Sequence, residues 1–167
     1  MRGRCSRQIF MQRFTMNQTH LHLLITHLPI VGSFFGACVL AYGLRTNSFH
    51  TQIVAYSILI ISSIGAVVSY LTGEAAEETV EKISGISEDL IEKHEEFALV
   101  ALVALILLGI VSLVGFALAV RKSPSIRTVA RITLIISIIS FVLVAWTGYL
   151  GGQIRHSEIH AAVTARV

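Results

Sequence analysis

Four long apolar runs divide the chain, at residues 21–44, 53–72, 97–120 and 132–150. The last three contain no Asp, Glu, Lys or Arg. Wound as helices, the runs reach roughly 28–36 Å, enough for a hydrocarbon core of about 30 Å. Backbone groups cannot stay unpaired in lipid, so each run is expected to be a transmembrane helix. Nothing alternates with period two, which argues against a β-barrel. Pro29 interrupts the first run. A helix starting there would keep only about 16 residues, roughly 24 Å, which is short. The helix should therefore start near Leu21 and kink or loosen around Pro29. With one longer connection and two short ones, an up-down-up-down four-helix bundle is the economical topology.

Composition agrees. Hydrophobic residues make up 54% of the 167, and charged residues only 14%, against about a quarter in an average soluble domain. Mean hydropathy is +0.74. These values exclude a disordered chain, a nucleic-acid-binding domain and an ordinary soluble enzyme. The length fits a single four-helix transmembrane domain over 19–157. Residues 1–18 form a basic tail before it and 158–167 a short tail after it.

The runs define two sides. Side A receives the N-terminal tail, the segment 73–96 and the C-terminus. Side B receives 45–52 and 121–131, with Arg45, Arg121, Lys122, Arg127 and Arg131. Side A carries Lys82, Lys93, Arg155 and Arg166, plus Arg2, Arg4, Arg7 and Arg13 in the tail. The positive-inside rule thus turns on that tail. The tail lacks an apolar stretch, so it makes a poor signal peptide. It reads either as sequence upstream of a true start at Met16 or as a basic arm on anionic lipid. Discounting it makes side A extracytoplasmic. Cys5 in the tail and Cys38 in mid-membrane are not expected to pair, and no C-x-x-C-H is present for covalent haem attachment.

Nine of the ten acids lie in 73–96, from Glu74 to Glu96, against Lys82 and Lys93. Val80, Ile83, Ile86, Leu90 and Ile91 interleave with them. Ser84, Gly85 and Ser87 break the pattern, and Ser87-Glu88-Asp89 looks like a helix start. Two short surface helices capping side A are expected, either as an ordinary solvated cap or as an acidic docking face for a basic partner.

The candidate chemistry is imidazole. Six of the seven histidines, His20, His22, His27, His94, His156 and His160, fall on side A, and only His50 on side B. His27 lies inside run one, His94 just before run three and His156 just after run four. Polar groups at that depth usually face the bundle interior. Each could instead be an interfacial side chain or be satisfied by a backbone carbonyl. As ligands they suit haem iron, zinc or copper, and two on facing helices could sandwich a porphyrin. Zinc would want company such as Glu74, Glu95 or Glu96. Gly32 and Gly36 form a GxxxG pattern, read either as close helix packing or as room for a flat macrocycle. Trp146, Tyr149 and Tyr70 read as interface anchors.

His22-x4-His27-Leu28-Pro29-Ile30, Thr72-Gly73, His94 and Leu150-Gly151-Gly152-x3-His156 together resemble an uncharacterised family of small prokaryotic four-helix membrane proteins. Some of its members are fused to Rieske-type iron–sulfur domains. The chain departs from that family at Leu23, where the family carries Pro. The resemblance implies a redox setting in a prokaryotic cytoplasmic membrane and favours haem b over zinc.

The expected protein is a membrane b-type cytochrome, or a haem-bearing subunit of a respiratory or redox complex rather than a stand-alone enzyme. His27 with His94 is the expected ligand pair for one haem. His22 with His156 is the second pair, or the site of a second haem. Electrons would pass between quinol at the membrane edge and a partner on side A, for instance a basic c-type cytochrome on the 73–96 face. Two alternatives remain open at this stage. One is a non-redox anchor subunit of a membrane complex; the other is a metal-ion-binding membrane protein.

Overall fold

A computed structural model describes residues 22–80 and 88–155. They form four helices: α1 (His27–Thr46), α2 (Phe49–Val80), α3 (Glu88–Val120) and α4 (Ile126–Arg155). No strand occurs among the described residues. Counting the helical turn 22–25 that leads into α1, all four elements contain an apolar stretch long enough to cross a bilayer. Each packs on two neighbours in a closed ring, α1 on α2, α2 on α3, α3 on α4 and α4 on α1. Helices α1 and α3 therefore stand diagonally across the bundle.

The loosening expected near Pro29 falls at Thr26, which separates the 22–25 turn from α1. Thr26 keeps right-handed helical dihedrals, and its N–H still donates to His22 O at 2.9 Å. Proline lacks the N–H that would bond the carbonyl four residues earlier, so the ladder is interrupted while the chain stays helical.

The helices outrun the apolar runs. Instead of two separate surface helices, the acidic segment continues α2 to Val80 and begins α3 at Glu88. A helix satisfies its own backbone, so it does not have to stop where the membrane does. Residues 81–87, the middle of the expected cap, lie outside the described residues.

Side-B turns are tight. Asn47 takes a left-handed conformation (φ 53°) at the end of α1, and Ser48 Oγ accepts from Thr51 N–H at 3.3 Å to cap α2. The turn after α3 uses Lys122 (φ 50°), with Ser123 N–H donating back to Leu118 O at 3.0 Å. Arg127 Nη2 donates to Asn47 Oδ1 at 2.7 Å, tying the two side-B turns together.

The bundle turns its apolar side chains outward. Phe35, Ile64, Leu71, Val103 and Val142 are each more than half exposed, while Ser33, Ser62, Ser112, Thr133, Ser137 and Ser140 are fully buried. In lipid, burying apolar area between helices gains little, so close packing and hydrogen bonds hold them together. Most buried hydroxyls turn back to their own helix, as Ser63 does to Leu59 O and Thr133 to Val129 O. Two reach across: Ser62 Oγ donates to Pro29 O (3.1 Å) and Ser140 Oγ to Ala104 O (3.3 Å).

Glycine permits the close approaches. A Cβ on Gly32 would lie 2.9 Å from Ser62 Cβ, and one on Gly36 would strike Leu59. Of the two readings of the GxxxG pair, these positions thus carry helix packing: both glycines seat α2, and α2 fills the space a macrocycle would need. A Cβ on Gly115 would strike the ring of Tyr56, which is rigid and fully buried. Gly115→Ala should therefore cost about 1–3 kcal/mol by overpacking. Gly152→Ala, with nothing within 4 Å, should leave stability nearly unchanged. Thermal unfolding of the two variants in detergent compares them directly.

Candidate functional site

Two of the side-A histidines are built into the bundle in the same way. His22, part-buried just before α1, donates from Nδ1 to Ser69 O of α2 at 2.8 Å. His94, part-buried near the start of α3, donates from Nδ1 to Thr147 O of α4 at 3.1 Å. A carbonyl can only accept, so the proton sits on Nδ1 in both rings, and Nε2 of each neutral ring keeps its lone pair. Thr72 Oγ1 lies 3.4 Å from His22 Nδ1 and donates to Val68 O and Ser69 O, bracing the same contact.

Glycine lies beside each ring. A Cβ on Gly73, four residues after Ser69, would lie 3.4 Å from His22 Cε1. One on Gly151, four residues after Thr147, would lie 3.1 Å from His94 Cε1. The cross-helix serines repeat the arrangement, since Ser62 precedes Ser69 by seven residues and Ser140 precedes Thr147 by seven. The hairpins α1–α2 and α3–α4 are thus two versions of one unit. Their histidines come from diagonal helices at the same end of the bundle.

The other expected ligands stand differently. His27 is exposed, and its Nδ1 donates to Leu23 O of its own helical segment at 3.0 Å. Five residues carry it about 140° around the helix from His22. His22, rather than His27, thus shares with His94 an Nδ1 tether to a carbonyl of the neighbouring helix. His20, His156 and His160 lie outside the described residues. His50 is exposed on side B, and Glu95 and Glu96 are exposed on side A. Among the described residues no three His, Cys, Asp or Glu side chains gather where they could hold a metal ion. Cys38 is free and exposed on the lipid side.

Beside His94, the outer surface of α3 and α4 carries an open apolar groove of about 820 Å³, lined by Lys93, Phe97, Phe141, Trp146, Tyr149 and Leu150. The Phe97, Trp146 and Tyr149 rings pack in sequence at 6.4 and 5.5 Å between centroids. All three are exposed, as expected of interface anchors.

The fold and these features define a multi-pass, four-helix membrane protein with a pair of tethered imidazoles at one end. No protein-family model, curated protein or solved structure matches the chain. Sequence reasoning picked out His22 and His94 but missed what orients them, the carbonyls of Ser69 and Thr147. The equal seven-residue spacings from Ser62 and Ser140 were the available signal.

Gly151→Ala should push the His94 ring by a few tenths of an ångström and weaken its bond to Thr147 O. Gly73→Ala, at an ordinary van der Waals distance, should leave His22 in place. Ring ¹⁵N NMR of histidine-labelled protein distinguishes the two: only the His94 signals should move.

Proposed function

We propose that this chain is a membrane-bound b-type cytochrome, or the haem-bearing subunit of a larger redox complex, with His22 and His94 as the axial ligands. One observation carries the reading: two imidazoles from diagonal helices, each with Nδ1 committed to a carbonyl of the neighbouring helix and Nε2 without a hydrogen-bond partner among the described residues. Metal-ligating histidines characteristically donate their other ring N–H to such an acceptor, which fixes tautomer and ring plane and raises ligand basicity. Two imidazoles suffice for haem iron, whereas a structural zinc site wants four protein ligands. The lack of any three-residue metal set among the described residues therefore weighs against zinc more than against haem.

When bound, haem supplies reversible one-electron transfer. The chain's own part is to hold the site. Ser69 O and Thr147 O orient the rings, and Gly73 and Gly151 leave them room. Nothing equivalent stands on side B, where His50 is exposed, so electrons should move along one face rather than across the bilayer. The apolar groove beside His94 suits the ring and tail of a membrane quinol as donor. The acidic segment 73–96, with seven net negative charges, suits a basic redox partner such as a c-type cytochrome on side A. In this reading the membrane is a prokaryotic cytoplasmic membrane with side A extracytoplasmic.

The purified protein should show a Soret band that sharpens on dithionite reduction, with split α and β bands. His22→Ala and His94→Ala should each lose the low-spin spectrum, and His27→Ala should retain it. A colourless preparation would overturn the haem reading. A spectrum surviving both His22→Ala and His94→Ala would overturn the ligand assignment.

Replacing Glu77, Glu78 and Glu81 together by Gln should weaken association with a basic c-type cytochrome several-fold at low ionic strength. The difference should shrink in about 0.5 M salt, where exposed charges are screened. Titration followed by surface plasmon resonance measures both. Glu81 lies outside the described residues, and the part of all three in the surface rests on their charge alone.

A further inference from the structure

A second polar site lies at the other end of the bundle. Tyr56 on α2 and Ser112 on α3 are fully buried, and neither Tyr56 OH nor Ser112 Oγ has a hydrogen-bond partner among the described residues. Both sit about 10–12 Å inside the side-B ends of their helices, seven residues after Phe49 and eight before Val120. Thr133, seven residues into α4, is fully buried at the same level. The Tyr56 hydroxyl lies close to the Thr133 hydroxyl, outside the geometry of a good hydrogen bond. The Tyr56 ring rests on Gly115 of α3, and Ser112 stands one turn along the same helix face.

Ser112 breaks the rule of this core. Ser33, Ser63 and Ser137 donate to carbonyls of their own helices, at Ile30, Leu59 and Leu134. Ser112 has the same option and does not take it. Thr133 spends its proton on Val129 O at 2.8 Å, so its oxygen is left as an acceptor. Two donors and an acceptor from three helices are thus buried at one level. A buried hydroxyl left unmatched is costly, more so in a membrane interior.

We propose that α2, α3 and α4 hold one ordered water molecule in the side-B half of the bundle, between the hydroxyls of Tyr56, Ser112 and Thr133. A water needs two to four polar partners, and these three supply them. A cation is excluded by charge: no Asp or Glu occurs anywhere from residue 21 to 73 or from 97 to 157, and an uncompensated ion would not enter hydrocarbon. The water joins three helices at this level. The site is separate from the imidazole pair, and its occupancy does not depend on haem.

The sign of a stability change tests it. If Tyr56 and Ser112 are bare orphans, removing either hydroxyl stabilises the fold. If they share a water, each removal strands the water and the remaining partners. Tyr56→Phe and Ser112→Ala, made in the full chain in nanodiscs, should each lower Tm by about 2–4 °C. The double variant should lose less than the sum, because both hold the same molecule. In infrared difference spectra between wild type and each variant, an O–H band that shifts in H₂¹⁸O should be present in wild type and missing from both. A raised or unchanged Tm in either single variant, additive losses, or a band retained in either variant would each overturn the proposal.

Discussion

In hydrocarbon a polar atom has no water to fall back on, and this bundle is organised around that fact. Its outer surface is apolar, and its core sets hydroxyls among buried Leu, Ala and Tyr side chains. Most of these hydroxyls are absorbed by the helix that bears them. The few that cross between helices, Ser62 to Pro29 and Ser140 to Ala104, stitch α1 to α2 and α3 to α4. The histidines obey the same constraint. A part-buried imidazole must place its N–H somewhere, and a carbonyl of the adjacent helix takes it in both hairpins. The orientation of the rings is thus a by-product of polar satisfaction, which leaves the Nε2 lone pair of each ring unengaged among the described residues.

The two hairpins solve this problem in the same way on α2 and α4, while the facing spacing differs, seven residues from His22 to Pro29 and ten from His94 to Ala104. The halves are not equal elsewhere. Pro29 interrupts α1 while Ala104 sits within an unbroken α3.

The two ends of the bundle differ in character. Side A has long helix extensions, most of the chain's acids and the imidazoles. Side B has tight turns, left-handed residues at Asn47 and Lys122, and only basic charge. Arg127 holding Asn47 ties the two turns of that end together.

The sequence by itself determined four spans, their up-and-down order, and the collection of histidine and acid on one side. It could do so because hydrocarbon thickness and backbone satisfaction act on runs of twenty residues, where composition alone decides. Run lengths predicted the membrane segments well and the helix lengths poorly, since α2 and α3 continue through the acidic segment on their own hydrogen bonds. Which histidine faces the axis was beyond it. His22 and His27 differ by five residues and look equally placed in a run, but about 140° of helix rotation separates them, and the packing of α1 on α2 through Gly32 and Gly36 fixes which one turns inward. The same packing decided that those glycines make room for a helix. Only the tertiary structure could pair His22 with Ser69 and His94 with Thr147, because those contacts span 47 and 53 residues and depend on how far each helix slides along its neighbour.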